Sequence, residues 1–167
     1  MSLNKALPRL FLLIVALAIV QITVQMRSMP PLLATKFDLD GVPVAWMTAG
    51  AVEILEFGLL ALFVIGFWLL PRVFAHRSDT YWRIPNKDYW LAPERRSGTI
   101  EALRGLISWM GVVVVLLFMA ASQLVFDAND RSPPRLASDA LIWLLLSFLF
   151  FVVLWIWVIV RQFGRLR

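Results

Sequence analysis

The stretch GLISWMGVVVVLLFMAASQLVF, Gly105 to Phe126, runs for more than about 20 residues without a charged side chain. At about 1.5 Å of rise per residue, a helix of this length crosses the ~30 Å hydrocarbon core of a bilayer. A helix satisfies its backbone hydrogen bonds internally, so such a segment needs no help from water to cross. ALIWLLLSFLFFVVLWIWVIV, Ala140 to Val160, has the same character. Working outward, seventeen uncharged residues, Leu10 to Met26, lie between Arg9 and Arg27. A further apolar segment runs from about Trp46 to Leu70 and stops at Pro71-Arg72, with Glu53 and Glu56 in its first half.

These runs predict an all-α integral membrane protein, a single domain over 1–167 with transmembrane helices at about 8–26, 47–70, 105–126 and 140–160. An outer loop, 27–46, and a cytoplasmic loop, 71–104, join them. A cleaved signal peptide competes for the first run, because Lys5 and Arg9 precede it and Ala16-Leu17-Ala18 resembles a cleavage site. The apolar stretch before that site is too short for a signal core and hydrophobic sequence continues past it, so retention as a span is expected.

Composition agrees. Of 167 residues, 60% are hydrophobic and 16% charged, against about 45–50% and 25% in soluble domains. No cysteine is present and His76 is the single histidine, which excludes disulfides, iron–sulfur ligation, thiol catalysis, bis-histidine haem and histidine-cluster metal sites. No cofactor is expected.

Orientation follows from the bases. Lys5, Arg9, Arg72, Arg77, Arg83, Lys87, Arg95, Arg96, Arg104, Arg161, Arg165 and Arg167 fall on one face, twelve against Arg27, Lys36, Arg131 and Arg135 on the other. The positive-inside rule then predicts cytoplasmic termini and a cytoplasmic middle loop. The net charge of +5 is accounted for by this bias and by anionic headgroups. Nucleic acid is not an expected partner, since the loop is short and mixes Asp79, Asp88, Glu94 and Glu101 with its bases. Trp68, Trp109, Trp155 and Trp157 fall near the proposed inner ends of spans and Trp46 and Trp143 near the outer ends, as amphipathic rings prefer.

In the outer loop, Pro30-Pro31 ends the first helix. Apolar and charged residues alternate from Thr35 to Leu39, Asp40-Gly41 supplies a pair suited to positive φ, and Val42 to Trp46 returns as a short strand that Pro43 confines to an edge. An ordered hairpin and a plain connecting loop tethered by Trp46 both fit. A calcium loop around Asp38 and Asp40 does not, for want of the later ligands.

The cytoplasmic loop interleaves Tyr81, Trp82, Tyr89 and Trp90 with bases including Arg95 and Arg96. It reads as a segment lying on the headgroups or as a protein-docking surface. Pro93 and Glu94 suit the first turn of a helix leading into the third span. Arg131-Ser132-Pro133-Pro134-Arg135-Leu136-Ala137-Ser138 echoes Arg27-Ser28-Met29-Pro30-Pro31-Leu32-Leu33-Ala34-Thr35. Either a parallel duplication or two loops that both need helix-breaking prolines explains it.

Glu53 and Glu56 project from one face of the second span, and Gln21, Gln25, Ser122 and Gln123 fall at similar depth. They form structural glue between helices, a functional polar vestibule open to the outside, or a solvent-exposed helix end. No nucleophile–base pair or phosphate loop accompanies them, which argues against a hydrolase or kinase.

The stretch from Met29 to Met47, with Phe37, Asp38, Gly41, Pro43 and Trp46, resembles the "LP…ATHFD…G.PDGW" pattern of a bacterial membrane family of unknown function. Its best-known relatives are the N-terminal parts of SdpI-type toxin-immunity proteins. A subgroup of short four-span members is similar through Ile84-Pro85-Asn86-Lys87-Asp88-Tyr89-Trp90-Leu91-Ala92-Pro93-Glu94-Arg95-Arg96 as well. Lys36 stands where the family usually has histidine, and Val44-Ala45 where it has an acidic-glycine pair. The resemblance implies a bacterial inner-membrane location, no established activity, and, through the SdpI-type proteins, immunity with signalling to a cytoplasmic repressor. The expected function is noncatalytic, through a protein partner in or at the membrane, as an immunity or envelope-sensing component or an accessory subunit. The alternative is a small transporter or proton-coupled carrier using Glu53 and Glu56.

Overall fold

The computed structural model describes residues 3–75 and 84–164. Helix α1 (Leu3–Ser28) leads into a two-stranded antiparallel sheet of β1 (Leu32–Phe37) and β2 (Pro43–Thr48). Helix α2 (Ala49–Val64) continues through a π turn at Ile65–Leu69 into α3 (Leu70–Ala75), and a single-turn α4 (Lys87–Trp90) precedes the long α5 (Arg96–Asn129) and α6 (Ser138–Phe163). Four helical stretches, Ala6–Ser28, Ala49–Ala75, Arg96–Asn129 and Ser138–Phe163, are long and apolar enough to cross a membrane. The chain is thus built as a multi-pass membrane protein, with both ends of the described chain on the face opposite the hairpin.

α1 buries one stripe, Leu7, Phe11, Val15, Ala18, Ile22 and Gln25. Their spacing of three and four residues keeps them on one side of a 3.6-residue helix. The stripe packs against Leu60 of α2 and Val112 and Val115 of α5 to form the membrane-level core. Gly111 makes the closest approach in this core possible, because a side chain there would run into Phe67 of the π turn and the Phe11 ring. The π turn is closed by the Leu70 N–H donating to the Ile65 carbonyl five residues back. A second core, at the terminal face, gathers Ala75, Leu91, Ile100, Leu103 and Phe163. α6 packs along α5, and Phe163 is its one buried residue. The four helices therefore form a three-helix core with a fourth leaning on it.

Several boundaries differ from those read in the sequence. At 34 residues, α5 is about 51 Å long and overruns the clean run 105–126 at both ends. Pro93 and Glu94 lie in the turn before α5, not in its first turn, because the Ala92 carbonyl accepts from the Arg95 and Arg96 N–H groups at 2.9 Å each and the helix starts only then. The loop 27–46 is an ordered hairpin whose first strand begins three residues earlier than the alternation suggested. Its turn has a positive φ at Gly41 (77°) and not at Asp40. The reason is the turn itself: the Gly41 N–H donates to the Asp38 carbonyl at 3.1 Å and the Asp38 N–H to Val42 O at 2.9 Å, a three-residue loop with one left-handed residue at its end. The loop that follows Asn129, on the same face as the hairpin, holds no strand, so the echo between the two loops stops at sequence.

Candidate functional site: a polar chain among three helices

Gln21 and Gln25 lie one turn apart on α1, Ser122 and Gln123 are neighbours on α5, and Glu56 stands on α2. The fold brings all five together. Gln21 Nε2 donates to the Met119 carbonyl at 2.9 Å. Ser122 Oγ lies 2.6 Å from Glu56 Oε1 and 3.2 Å from Gln25 Oε1, with its hydroxyl shared between them. Gln25 Nε2 donates to Gln123 Oε1 at 2.9 Å, and Gln123 Nε2 to Asp127 Oδ1 at 2.7 Å. A continuous run of hydrogen bonds thus connects α2 to α1 and α5 and ends at an exposed carboxylate on the hairpin face.

Burial falls along this run. Gln25 is 5% exposed, while Gln123 and Asp127 are exposed. Glu56 Oε2 is buried and has no hydrogen-bond partner among the described residues. Glu53 is half-buried on the same helix and takes no part in the run. Each amide here offers both donors and an acceptor, so glutamine is suited to pass hydrogen bonds between helices where water is absent. The single Ser122 proton is the scarce element, because two acceptors face it.

The hairpin is held by a contact that sequence reading missed. Asn129, in the last turn of α5 and 8% exposed, accepts from the Ala34 N–H at 2.8 Å through Oδ1. Its Nδ2 donates to the Ala34 carbonyl at 2.9 Å and to Val125 O at 2.9 Å. The side-chain amide thereby does for β1 what a neighbouring strand would do, on the edge away from β2. Asn129 lies seven residues after Ser122, on the same side of α5, and that spacing is the signal that was available. The Asn129-Asp130 pair reads instead as loop composition.

The motif residues of the hairpin loop have separate tasks. Asp38 Oδ1 accepts from the Asp40 and Val42 N–H groups at 3.0 and 2.8 Å, which stitches the turn. Gly41 is held in the left-handed region and pressed against the Leu136 carbonyl, while its own carbonyl accepts from the Leu136 N–H at 3.0 Å. Glycine answers both the dihedral angle and the close approach. Phe37 pairs with Pro43 at the start of β2, and Trp46 pairs with Ala34 and is 47% exposed.

At the terminal face, Trp90 Nε1 donates to the Phe163 carbonyl at 2.9 Å and its ring meets the Phe163 ring edge-on at 5.5 Å. Asn86 Nδ2 donates to the carbonyls of Phe163 and Gly164, at 3.1 and 3.2 Å. The last carbonyls of a helix have no partners within it, and these side chains supply them for α6. Thr99 Oγ1 donates to the Trp90 carbonyl at 2.8 Å and ties the segment to α5. Tyr89 stacks edge-on with Trp90 and under the Arg95 guanidinium, 4.1 Å from its ring centre. Arg96 opens α5 and is half-buried. The predicted docking residues Tyr81 and Trp82 lie outside the described residues.

Two arrangements therefore stand out, a polar run among α1, α2 and α5 toward the hairpin face and an aromatic clasp on the end of α6. Compared with protein-family models, with curated proteins and with solved structures, the chain matches none of them.

Proposed function

We propose that the chain is a noncatalytic protein of the bacterial cytoplasmic membrane, related to the family of SdpI-type N-terminal domains. In this reading its termini face the cytoplasm and it acts through a protein partner, as an immunity or envelope-sensing component or an accessory subunit. The observation that carries the reading is α6. It is apolar from Ala140 to Val160 save for Ser147, and Phe163 is its one buried residue. Between it and α5 runs a groove of about 190 Å³ lined by Val113, Leu116, Leu117, Leu144, Ser147, Phe148 and Phe151. In lipid, helices associate through close van der Waals packing and occasional hydroxyl hydrogen bonds, and an unfilled groove leaves both available to a further helix.

The test is photo-crosslinking in native membranes from probes at Leu144 and Phe148, with Val20 on α1 as control. A discrete adduct from the α6 probes that co-purifies stoichiometrically in mild detergent is the expected result. Lipid adducts alone, with a chain that purifies without a partner, would end the proposal. The cytoplasmic placement is tested separately by a Ser97→Cys probe, which an impermeant thiol reagent must leave unlabelled in intact cells.

A second reading, a small proton-coupled carrier, draws on Glu56, whose Oε2 is buried without a partner among the described residues. Proton-driven solute uptake in proteoliposomes, lost in Glu56→Gln, would favour it. Retention of all phenotypes in Glu56→Gln excludes it.

A further inference from the structure

Two arginines at the terminal face differ from the other described ones there. Arg72 lies 4.0 Å from the Trp68 ring centre and donates to the Trp68 carbonyl, Arg95 sits over Tyr89, and Arg161 lies 4.9 Å from the Trp157 ring centre. Arg9 of α1 and Arg104 of α5 have no hydrogen bond or ion pair with any described residue. They line a cleft of about 530 Å³ between the N-terminal parts of the two helices, together with Pro8, Ser97, Ile100, Glu101 and Gly105. Arg72 is near enough to Arg104 for the two guanidinium groups to repel. Like charges gathered this way raise the free energy of the empty cleft, and an anion between them lowers it.

The depth of the cleft identifies the anion. Arg9 immediately precedes the uncharged run of the first span and Arg104 that of the third, so both stand where hydrocarbon gives way to headgroups. Phosphate groups of the leaflet occupy that level. Guanidinium groups match phosphate oxygens in pairs, and the Ser97 hydroxyl adds a further donor. The apolar floor is supplied by Pro8 and the buried Ile100. A free anion needs donors on every side, whereas a headgroup brings a glycerol backbone that this floor can cover.

We infer that the cleft between α1 and α5 binds a phosphate-bearing anion through Arg9 and Arg104, and that its source is the headgroup of an anionic phospholipid. Glu101, on the rim of the same cleft, tempers the site and weakens its hold on anions. The site is independent of any protein partner and rests only on the membrane placement of the helices.

The experiment uses the full chain in nanodiscs of phosphatidylcholine doped with phosphatidylglycerol, with retained lipid counted by native mass spectrometry. One phosphatidylglycerol per chain should be retained, and Arg9→Gln with Arg104→Gln should weaken retention about thirtyfold. Arg131→Gln with Arg135→Gln removes the same charge from the opposite face and should change nothing. Glu101→Gln, an exposed substitution that leaves the fold alone, should strengthen retention several-fold, so the site remains testable even if the double arginine variant misfolds. Equal loss in both double variants, or no response to Glu101→Gln, would show diffuse charge attraction and overturn the site. In pure phosphatidylcholine, inorganic phosphate at millimolar concentration should not raise the melting temperature. A saturable rise there, with no preference for the anionic lipid, would replace the headgroup with free phosphate and overturn the assignment.

Discussion

α1 and α6 are each 26 residues long and apolar through their middles, yet α1 is woven into the core and α6 is almost wholly outside it. Apolarity does not separate them. α1 carries Ala18 at 0% exposure and Gln21 and Gln25 along the side it turns to α5, so backbones approach closely and amides reach across. α6 carries large side chains on every side, with Trp143 71% and Phe150 65% exposed. Since lipid tails cover apolar surface as well as a helix does, membrane packing is selected by small residues and hydrogen bonds. The two helices show that rule within one chain.

The sharpest way to break the comparison is to remove the close approach. Gly111→Leu would place a side chain where Phe67 and Phe11 already stand, and overpacking of this kind costs about 3 kcal/mol. Thermal unfolding in detergent should fall by several degrees, and a change within error would mean that the α1–α5 contact is not tight.

Next comes the latch at the hairpin. Asn129→Ala leaves the Ala34 N–H and carbonyl without their partner. Orphaning two backbone groups that stand away from water costs about 2–4 kcal/mol. Amide exchange across Leu32–Phe37 should accelerate while the helices stay protected. Unchanged protection would show that the sheet holds without α5.

A smaller effect distinguishes donors from acceptors in the polar run. Ser122→Ala removes the one hydroxyl that both Glu56 and Gln25 face, and interhelical hydrogen bonds in membranes contribute about 0.6–1.7 kcal/mol. Glu56→Gln brings an amide that can donate to Ser122 Oγ and release its proton to Gln25, so that variant should be as stable as the parent or more so. If Glu56→Gln is the more damaging of the two, the carboxylate does something that hydrogen-bond supply does not explain.

How much of this was legible beforehand follows the same physics. Charge-free runs of span length mark three helices, Leu10 to Met26, Gly105 to Phe126 and Ala140 to Val160, and Trp46 to Leu70 is long enough to read as the fourth despite Glu53 and Glu56. Gln21, Gln25, Glu56, Ser122 and Gln123 were legible as a group, since depth along a helix can be counted from its charged ends. Partners were not legible. Glu53 reads like Glu56, and only the rotation of α2 leaves it outside the run of bonds. Asn129 was missed because asparagine after an apolar run has the composition of a loop, and the role of Asn86 was missed because backbone carbonyls waiting for a donor leave no mark in sequence. Trp90 was visible as an aromatic needing cover, but not the Phe163 carbonyl that holds it.

The smallest expected effect on stability tests what α6 is for. Leu149 is 58% and Phe150 65% exposed. Replacing either by alanine removes contacts with lipid in the folded and the unfolded membrane-inserted chain alike. Substitutions away from packed features change stability by about 0.5 kcal/mol or less, so Leu149→Ala and Phe150→Ala should melt with the parent. Ala18→Leu on α1, of comparable size and opposite sense, should not. If α6 serves a partner, Phe148→Ala in its groove should share this thermal neutrality yet lose the crosslinked adduct that a Leu144 probe gives. Loss of stability with the adduct retained would instead make α6 part of the molecule's own core, and the contrast between the two helices would then lie in their burial alone.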